Sequence, residues 1–410
     1  MKGLTTRAVQ GVVDPADGHH ALRPPLHDSV AFEFESSQAI SDSFSGRRPA
    51  HSYSRITNPT VANFEKRIQN VSGARSVLAL SSGMAAIANI VTALAETGAK
   101  IVAARSLFGN TRSLFSSTFA QWGLEVVYVD VTAPEAIREA LDSRTRFVFL
   151  ESLSNPGLQV PPVKEICRVA GEKNIPVILD GTLTFPAVFQ AQDTGVALEV
   201  VSSTKYISGG ATSTGGLILD YGTFNWEHNP NIVPLAKAFG PFALSVRLRR
   251  EVYRNTGACL APHNAWLQSL GLETVELRSK RSCQTAKRLA QWLENHSGVV
   301  RVDYPGLKTN DSFVHAQTQF DGLFGSLLTF DLASKKACFR FMDTLKIIRR
   351  ATNLNDNKTL IIHPASTIFC EFSPHDREDM GVRETMLRLS VGIEDFEDLV
   401  YDIEKGLQLI

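Results

Sequence analysis

The sequence predicts an α/β protein built on a mainly parallel sheet, followed by a smaller α+β unit. Three observations predict it. Between residues 63 and 204, short apolar runs alternate with amphipathic stretches, the order expected when helices cover both faces of a parallel sheet. Polar and glycine residues follow those runs, at 81–83, at Ser106 with Phe108-Gly109, at Ser154-Asn155-Pro156, at Asp180 with Thr182, and at Lys205. Ligands bind at that end of such strands. The chain, at 410 residues, is long enough for two cores, and a second set of strand and helix patterns follows residue 257.

Taken in order, residues 1–60 are rich in Pro, Ser, His and Arg with weak periodicity, and read as an extended arm. Within it, alternation along an extended segment places Tyr53 and Arg55 on one side. A phenol beside a guanidinium suits a phosphate, although a turn with a solvated arginine reads the same. Phe64, Ile68 and Val71 form a helix face, and Ser76–Leu80 reads as a buried strand. Residues 81–83 break that strand, and a helix opens at Met84 with Ile90, Val91 and Leu94 on one side. Its free N–H groups and dipole make Gly83 and Met84 a candidate phosphate site. An ordinary strand-to-helix turn has the same sequence.

Further strands are predicted at 100–104, 125–130, 146–151, 176–180 and 199–204, with helices such as 134–141 and 163–172 between them. Asp180 closes the apolar run 175–179, so its carboxylate is expected at the ligand edge, to hold a protonated ring nitrogen or simply to cap a turn or helix. Lys205 follows Val200-Val201, with Ser202, Ser203 and Thr204 before it and Gly209, Gly210, Gly215 and Gly216 after it. An amine there could form a Schiff base with a carbonyl cofactor while the hydroxyls meet a phosphate. A strand-end lysine could equally reach solvent. Residues 221–241 look irregular. Beyond them, 265–278 and 282–294 read as long helices, 299–304, 326–330 and 386–391 as strands, 358–369 as a strand with its connection, and 396–407 as a closing helix. The expected division is an arm at 1–60, an α/β domain at 61–256 and an α+β domain at 257–410.

Composition narrows the function. Lys+Arg and Asp+Glu are 42 each, which argues against nucleic acid or another polyanion held by bulk charge. No apolar run approaches a membrane span, and the opening MKGLTTRAVQG lacks a signal-peptide core. The five cysteines are scattered and form no C-x-x-C, so they read as free cytoplasmic thiols rather than a disulfide frame or metal site.

Seven ordered markers carry a resemblance. They are YSRITNPT from Tyr53, SSGMAAI from Ser81, ESLSNP from Glu151, ILDGT from Ile178, SSTKY from Ser202, HPAST from His363 and LRLSVGIED from Leu387. Together they resemble the Cys/Met-metabolism family of pyridoxal-phosphate enzymes over nearly the whole chain. The resemblance implies the PLP-dependent transferase fold of the aspartate aminotransferase superfamily, and a homotetramer of two tight dimers. It also implies roles. Lys205 would bind pyridoxal 5'-phosphate and shuttle protons, and Asp180 would keep the pyridine nitrogen protonated. Gly83, Met84, Ser202 and Thr204 would cup the phosphate, and Tyr53 and Arg55 would reach the phosphate of a neighbouring subunit. Arg388 would grip the substrate carboxylate, helped by Asn155 and the backbone near Thr359.

Two positions depart from the family pattern. Phe108 stands where a ring-stacking tyrosine is usual; it can stack but has no hydroxyl to move a proton. A departing thiol gains from protonation, whereas a departing carboxylate does not. Phe108 therefore favours an esterified homoserine over a thioether. Gly181 stands where asparagine often follows the aspartate. The stretch KTLIIHPAST from Lys358, and Phe224 with Trp226, resemble the O-acetylhomoserine sulfhydrylase branch. The expected reaction is γ-replacement on O-acetylhomoserine by a sulfur nucleophile, giving homocysteine and acetate in methionine biosynthesis. O-succinylhomoserine sulfhydrylase, cystathionine γ-synthase and a γ-lyase acting on methionine or cystathionine are the alternatives. The sulfur donor is left open among sulfide, a thiol and a sulfur-carrier protein.

Overall fold

The computed structural model describes residues 3–10 and 19–409, so 1–2 and 11–18 of the predicted arm lie outside the described residues. Two sheets organise the chain. The larger contains β1 (Ser76–Leu80), β2 (Lys100–Ala104), β3 (Glu125–Val129), β4 (Thr145–Glu151), β5 (Val177–Asp180), β6 (Leu198–Val201) and β7 (Gly216–Asp220), in the spatial order β1-β7-β6-β5-β4-β2-β3. β7 runs antiparallel to both β1 and β6, and the remaining pairs are parallel. The central strands are buried on both faces, as in a sheet covered by helices on each side. The smaller sheet contains β8 (Arg301–Asp303), β9 (Leu327–Asp331), β10 (Arg349–Arg350), β11 (Leu360–Ile362) and β12 (Met386–Ser390), in the order β10-β11-β12-β9-β8.

Several local signals explain element boundaries. Asn58 caps the Pro59–Ser72 helix by accepting from Thr60 and Val61 N–H, Pro59 fits its first turn, and Gly73 ends it at φ 73°. Ser82 caps the Gly83–Leu94 helix through Ala85 N–H. No helix among the described residues is long and apolar enough to cross a membrane.

The structure corrects the sequence reading in five places. β7 was not predicted, because its three apolar residues, Leu217, Ile218 and Leu219, sit directly behind a glycine-rich turn. β6 ends at Val201, so Ser202, Thr204 and Lys205 lie in the following turn. The arm is not extended throughout: Leu4–Val9 and Ser37–Phe44 are helices. The two long helices are Pro262–Glu273 and Val275–Glu294, divided at Thr274. The irregular stretch holds a helix at Val233–Phe239 and is anchored by Trp226, which is buried edge-on to Phe224 with ring centroids 5.0 Å apart.

Candidate active site

The carboxyl ends of β4, β5 and β6 bring Glu151, Asp180 and the Lys205 turn together. Asp180 Oδ1 accepts from Thr182 N–H at 2.9 Å, and Thr182 Oγ1 in turn accepts from Ser202 N–H at 2.8 Å. These bonds tie the Asp180 turn to the Lys205 turn. Glu151 pairs in register with Asp180 and accepts the backbone N–H of Phe108 at 2.6 Å, which fixes that aromatic residue over the same edge. Burial pushes the Glu151 carboxyl well up, and the Asp180 charge adds to the push. Burial raises Asp180 as well, opposed by the Thr182 hydroxyl and N–H. Of this coupled pair, Asp180 is the better place for a negative charge.

Lys205 Nζ donates to Asn353 Oδ1 at 2.7 Å. Burial lowers the amine to about 8, with the Arg388 charge adding and Asp356 opposing. The amine is therefore readily neutral, as attack on an aldehyde requires. Asn353 also donates from Nδ2 to Asp356 Oδ2 at 3.0 Å, and its carbonyl accepts from Arg388 Nη2 at 3.2 Å. Arg388 lies in the middle of β12, only 2% exposed. Its Nη1 donates to Asn155 Oδ1 at 3.1 Å and its Nη2 also to the Thr352 carbonyl at 3.2 Å, while Nε has no partner. No carboxylate pairs with it among the described residues, and burial pulls it down to about 9. The loop at Thr352 and Asn353, rather than the backbone at Thr359, meets this guanidinium. Thr359 instead binds Glu394 through its N–H and its hydroxyl, both at 2.7 Å.

At the other side of the site, Gly83 opens its helix against Ser202. A Cβ on Gly83 would stand 2.9 Å from Ser202 Cβ, so only glycine leaves this approach open. Met84 follows in the same first turn. The Thr204 hydroxyl donates to the Gly215 carbonyl and accepts the Gly215 N–H. Tyr53 and Arg55 lie apart from Lys205 in their contacts. The Arg55 guanidinium sits 5.4 Å from the Tyr53 ring centroid and donates to the Arg254 carbonyl at 2.6 Å.

Sequence reasoning passed over Asn353, Asp356 and Glu199. The signal for the first two was the polar run 353–357 between strand patterns of the smaller sheet; Glu199 sits inside an apolar strand with no local marker.

This donor set fits a phosphorylated pyridine aldehyde. It offers a depressed lysine amine, a helix start kept open by glycine, a carboxylate at the carboxyl edge of the sheet, and a buried cation lacking an anion. Comparisons with known proteins agree. The model of the Cys/Met metabolism PLP-dependent enzyme family matches residues 5–408. The chain is 35% identical over 397 residues to O-acetyl-L-homoserine sulfhydrylase 1 of Thermus thermophilus, covering 93% of this chain and 94% of that one. Among solved structures, it resembles a putative O-acetylhomoserine (thiol)-lyase of Campylobacter jejuni that carries a pyridoxyl-lysine monophosphate. That likeness has a TM-score of 0.93 and 29% identity, and covers 99% of this chain and 100% of that one. It also resembles the O-acetylhomoserine sulfhydrylase of Wolinella succinogenes, a protein of methionine biosynthesis, with 44% identity and a TM-score of 0.77 over 86% of this chain and 98% of that one. By its site and by these likenesses, the chain belongs to the Cys/Met metabolism family of PLP-dependent enzymes.

Proposed function

We propose that this protein is a PLP-dependent sulfhydrylase. It replaces the acyloxy group of an O-acylated homoserine, O-acetylhomoserine first, with a sulfur nucleophile, giving homocysteine and the free carboxylate in methionine biosynthesis. The carrying observation is the pairing of Arg388, a buried cation without an anion, with Lys205 through the single residue Asn353, whose side-chain oxygen accepts from Lys205 and whose backbone carbonyl accepts from Arg388. An amino acid whose carboxylate met Arg388 would thus have its α-carbon near the lysine amine.

Bound pyridoxal phosphate supplies the electron sink for charge developing at the substrate α-carbon. The chain supplies the rest. Gly83, Met84, Ser202 and Thr204 receive the phosphate at the helix start, and Asp180 holds the proton on the ring nitrogen. Lys205 removes and returns protons at the substrate carbons. Asn155 orients the Arg388 fork, which takes the carboxylate in bidentate fashion. Phe108, positioned by Glu151, stacks on the ring and offers no proton, which suits a carboxylate leaving group. Tyr53 and Arg55 serve the phosphate of a neighbouring subunit in a homotetramer. Exposed apolar residues in the arm, Leu22, Val30 and Phe44, support a covered surface there.

Homocysteine formation by the cofactor-loaded protein tests the reading, with acetyl and succinyl esters compared with and without sulfide. The expected result is homocysteine from the acetyl ester only when sulfide is present. Ester consumption without sulfide capture directs the search to a thiol or a sulfur-carrier protein. Keto acid and ammonia formed regardless of sulfide would make the protein a γ-lyase.

A further inference from the structure

Gly181 and Glu199 form a matched pair beneath the Asp180 turn. Gly181 does not need a left-handed backbone, since its φ lies outside the range that disfavours side chains. It needs the space. A Cβ there would stand 1.9 Å from Glu199 Oε1 and 2.8 Å from its Cδ. Glu199, on β6, is fully buried. Its Oε2 accepts from Tyr221 Oη at 2.5 Å, and its Oε1 has no partner. Burial pushes this carboxyl up to about 8, opposed by the Tyr221 hydroxyl and aided by the nearby Asp180 charge. Glu199 sits one residue before Val200, whose carbonyl accepts the Gly181 N–H at 2.8 Å.

We infer that Glu199, filling the volume vacated at Gly181, is a positioning residue that sets the placement of Asp180 against the ring nitrogen of the cofactor. A buried acid is a costly way to fill space in a strand whose other residues are aliphatic. The Glu199 side chain takes the space that a Cβ at Gly181 would occupy, and so limits where the turn that carries Asp180 can lie. This rests on the assignment of Asp180 to the ring nitrogen.

The test measures pyridoxal phosphate affinity and the absorbance of the bound cofactor in E199A, E199Q, G181A and D180N, with unfolding of each apoprotein followed in parallel. E199A is expected to weaken cofactor affinity about tenfold and to shift its absorbance, the usual scale for loss of a residue supporting a direct ligand. E199Q, neutral and of the same size, is expected to stay within about threefold of wild type. G181A, which presses on the same turn while Glu199 remains, is expected to act like E199A and serves if E199A does not fold. An E199A protein that is less stable but binds and absorbs as wild type overturns the inference, as does an E199Q protein as impaired as E199A. If D180N itself behaves as wild type, the assignment of Asp180 fails first; a changed D180N with an unchanged E199A sinks only the role of Glu199.

Discussion

At Arg388 the chain keeps a guanidinium in its interior whose hydrogen-bond partners among the described residues are two carbonyls and an amide. Burying a charge without a counter-ion costs stability, so R388M should leave the apoprotein as stable as wild type or about 1 kcal/mol more so. Its kcat/KM should still fall roughly a hundredfold or more, because a desolvated charge pair with the substrate is lost. Urea titration and steady-state kinetics check both halves; a marked loss of stability would contradict the unpaired state. At Lys205, the amine must be neutral to attack an aldehyde, and its proton leaves near pH 8. The rate of cofactor attachment to the apoprotein should therefore climb from pH 6 and level off above about 8, a profile stopped-flow absorbance would record. N353A removes a hydrogen bond to a charged group, on the order of 1.5–3 kcal/mol, and should lower kcat/KM about tenfold or more with the fold intact by circular dichroism. Lys205 and Asp180 were legible because each follows an apolar run, and Arg388 only through the LRLSVGIED marker of the family resemblance. Asn353 was not, since what makes it matter is three partners brought from 148, 35 and 3 residues away.

At the scale of elements, most parallel strands announced themselves by apolar runs of four or more residues, and β6 by Val200-Val201 ahead of the Lys205 turn, whereas β7 did not. Yet β7 closes the phosphate side of the site. A Cβ on Gly216 would stand 2.0 Å from the Ser82 carbonyl oxygen, a backbone atom that cannot swing aside. G216A should therefore push β7 away from the helix start, cost about 1–3 kcal/mol, and release the cofactor more readily; thermal unfolding with and without pyridoxal phosphate reads both effects. The β5–β6 pair makes a prediction about pH. Glu199 is raised in the folded chain from 4.5 to about 8, so between those values the folded state binds more protons than the unfolded one. Stability must then fall as pH rises from 4.5 to 8, by a few kcal/mol from this group. E199Q should flatten that part of the wild-type slope, and an unchanged slope would mean that Glu199 is ionised in the fold.

Across the whole molecule, the arm and the segment near Phe242 expose apolar side chains, while Arg55 lies against the Tyr53 ring and donates to the Arg254 carbonyl rather than meeting the lysine of its own chain. If they serve a neighbouring subunit, R55A chains and K205A chains, each inactive alone, should recover activity when refolded together, up to roughly a quarter of wild type for random pairing in a symmetric dimer. No recovery would place the pair outside the site. The two-sheet division was legible from the break in pattern after residue 220, but the way the sheets share a site was not, because it depends on loops rather than on periodicity. That sharing also couples two events. The Arg388 charge is one of the forces lowering the Lys205 amine. A carboxylate that docks on Arg388 cancels this charge, and the proton affinity of Lys205 rises as a result. The free lysine is thus a ready nucleophile toward the cofactor in the empty site, and a stronger base once the carboxylate of an amino acid sits on Arg388, so that occupancy itself switches its chemistry.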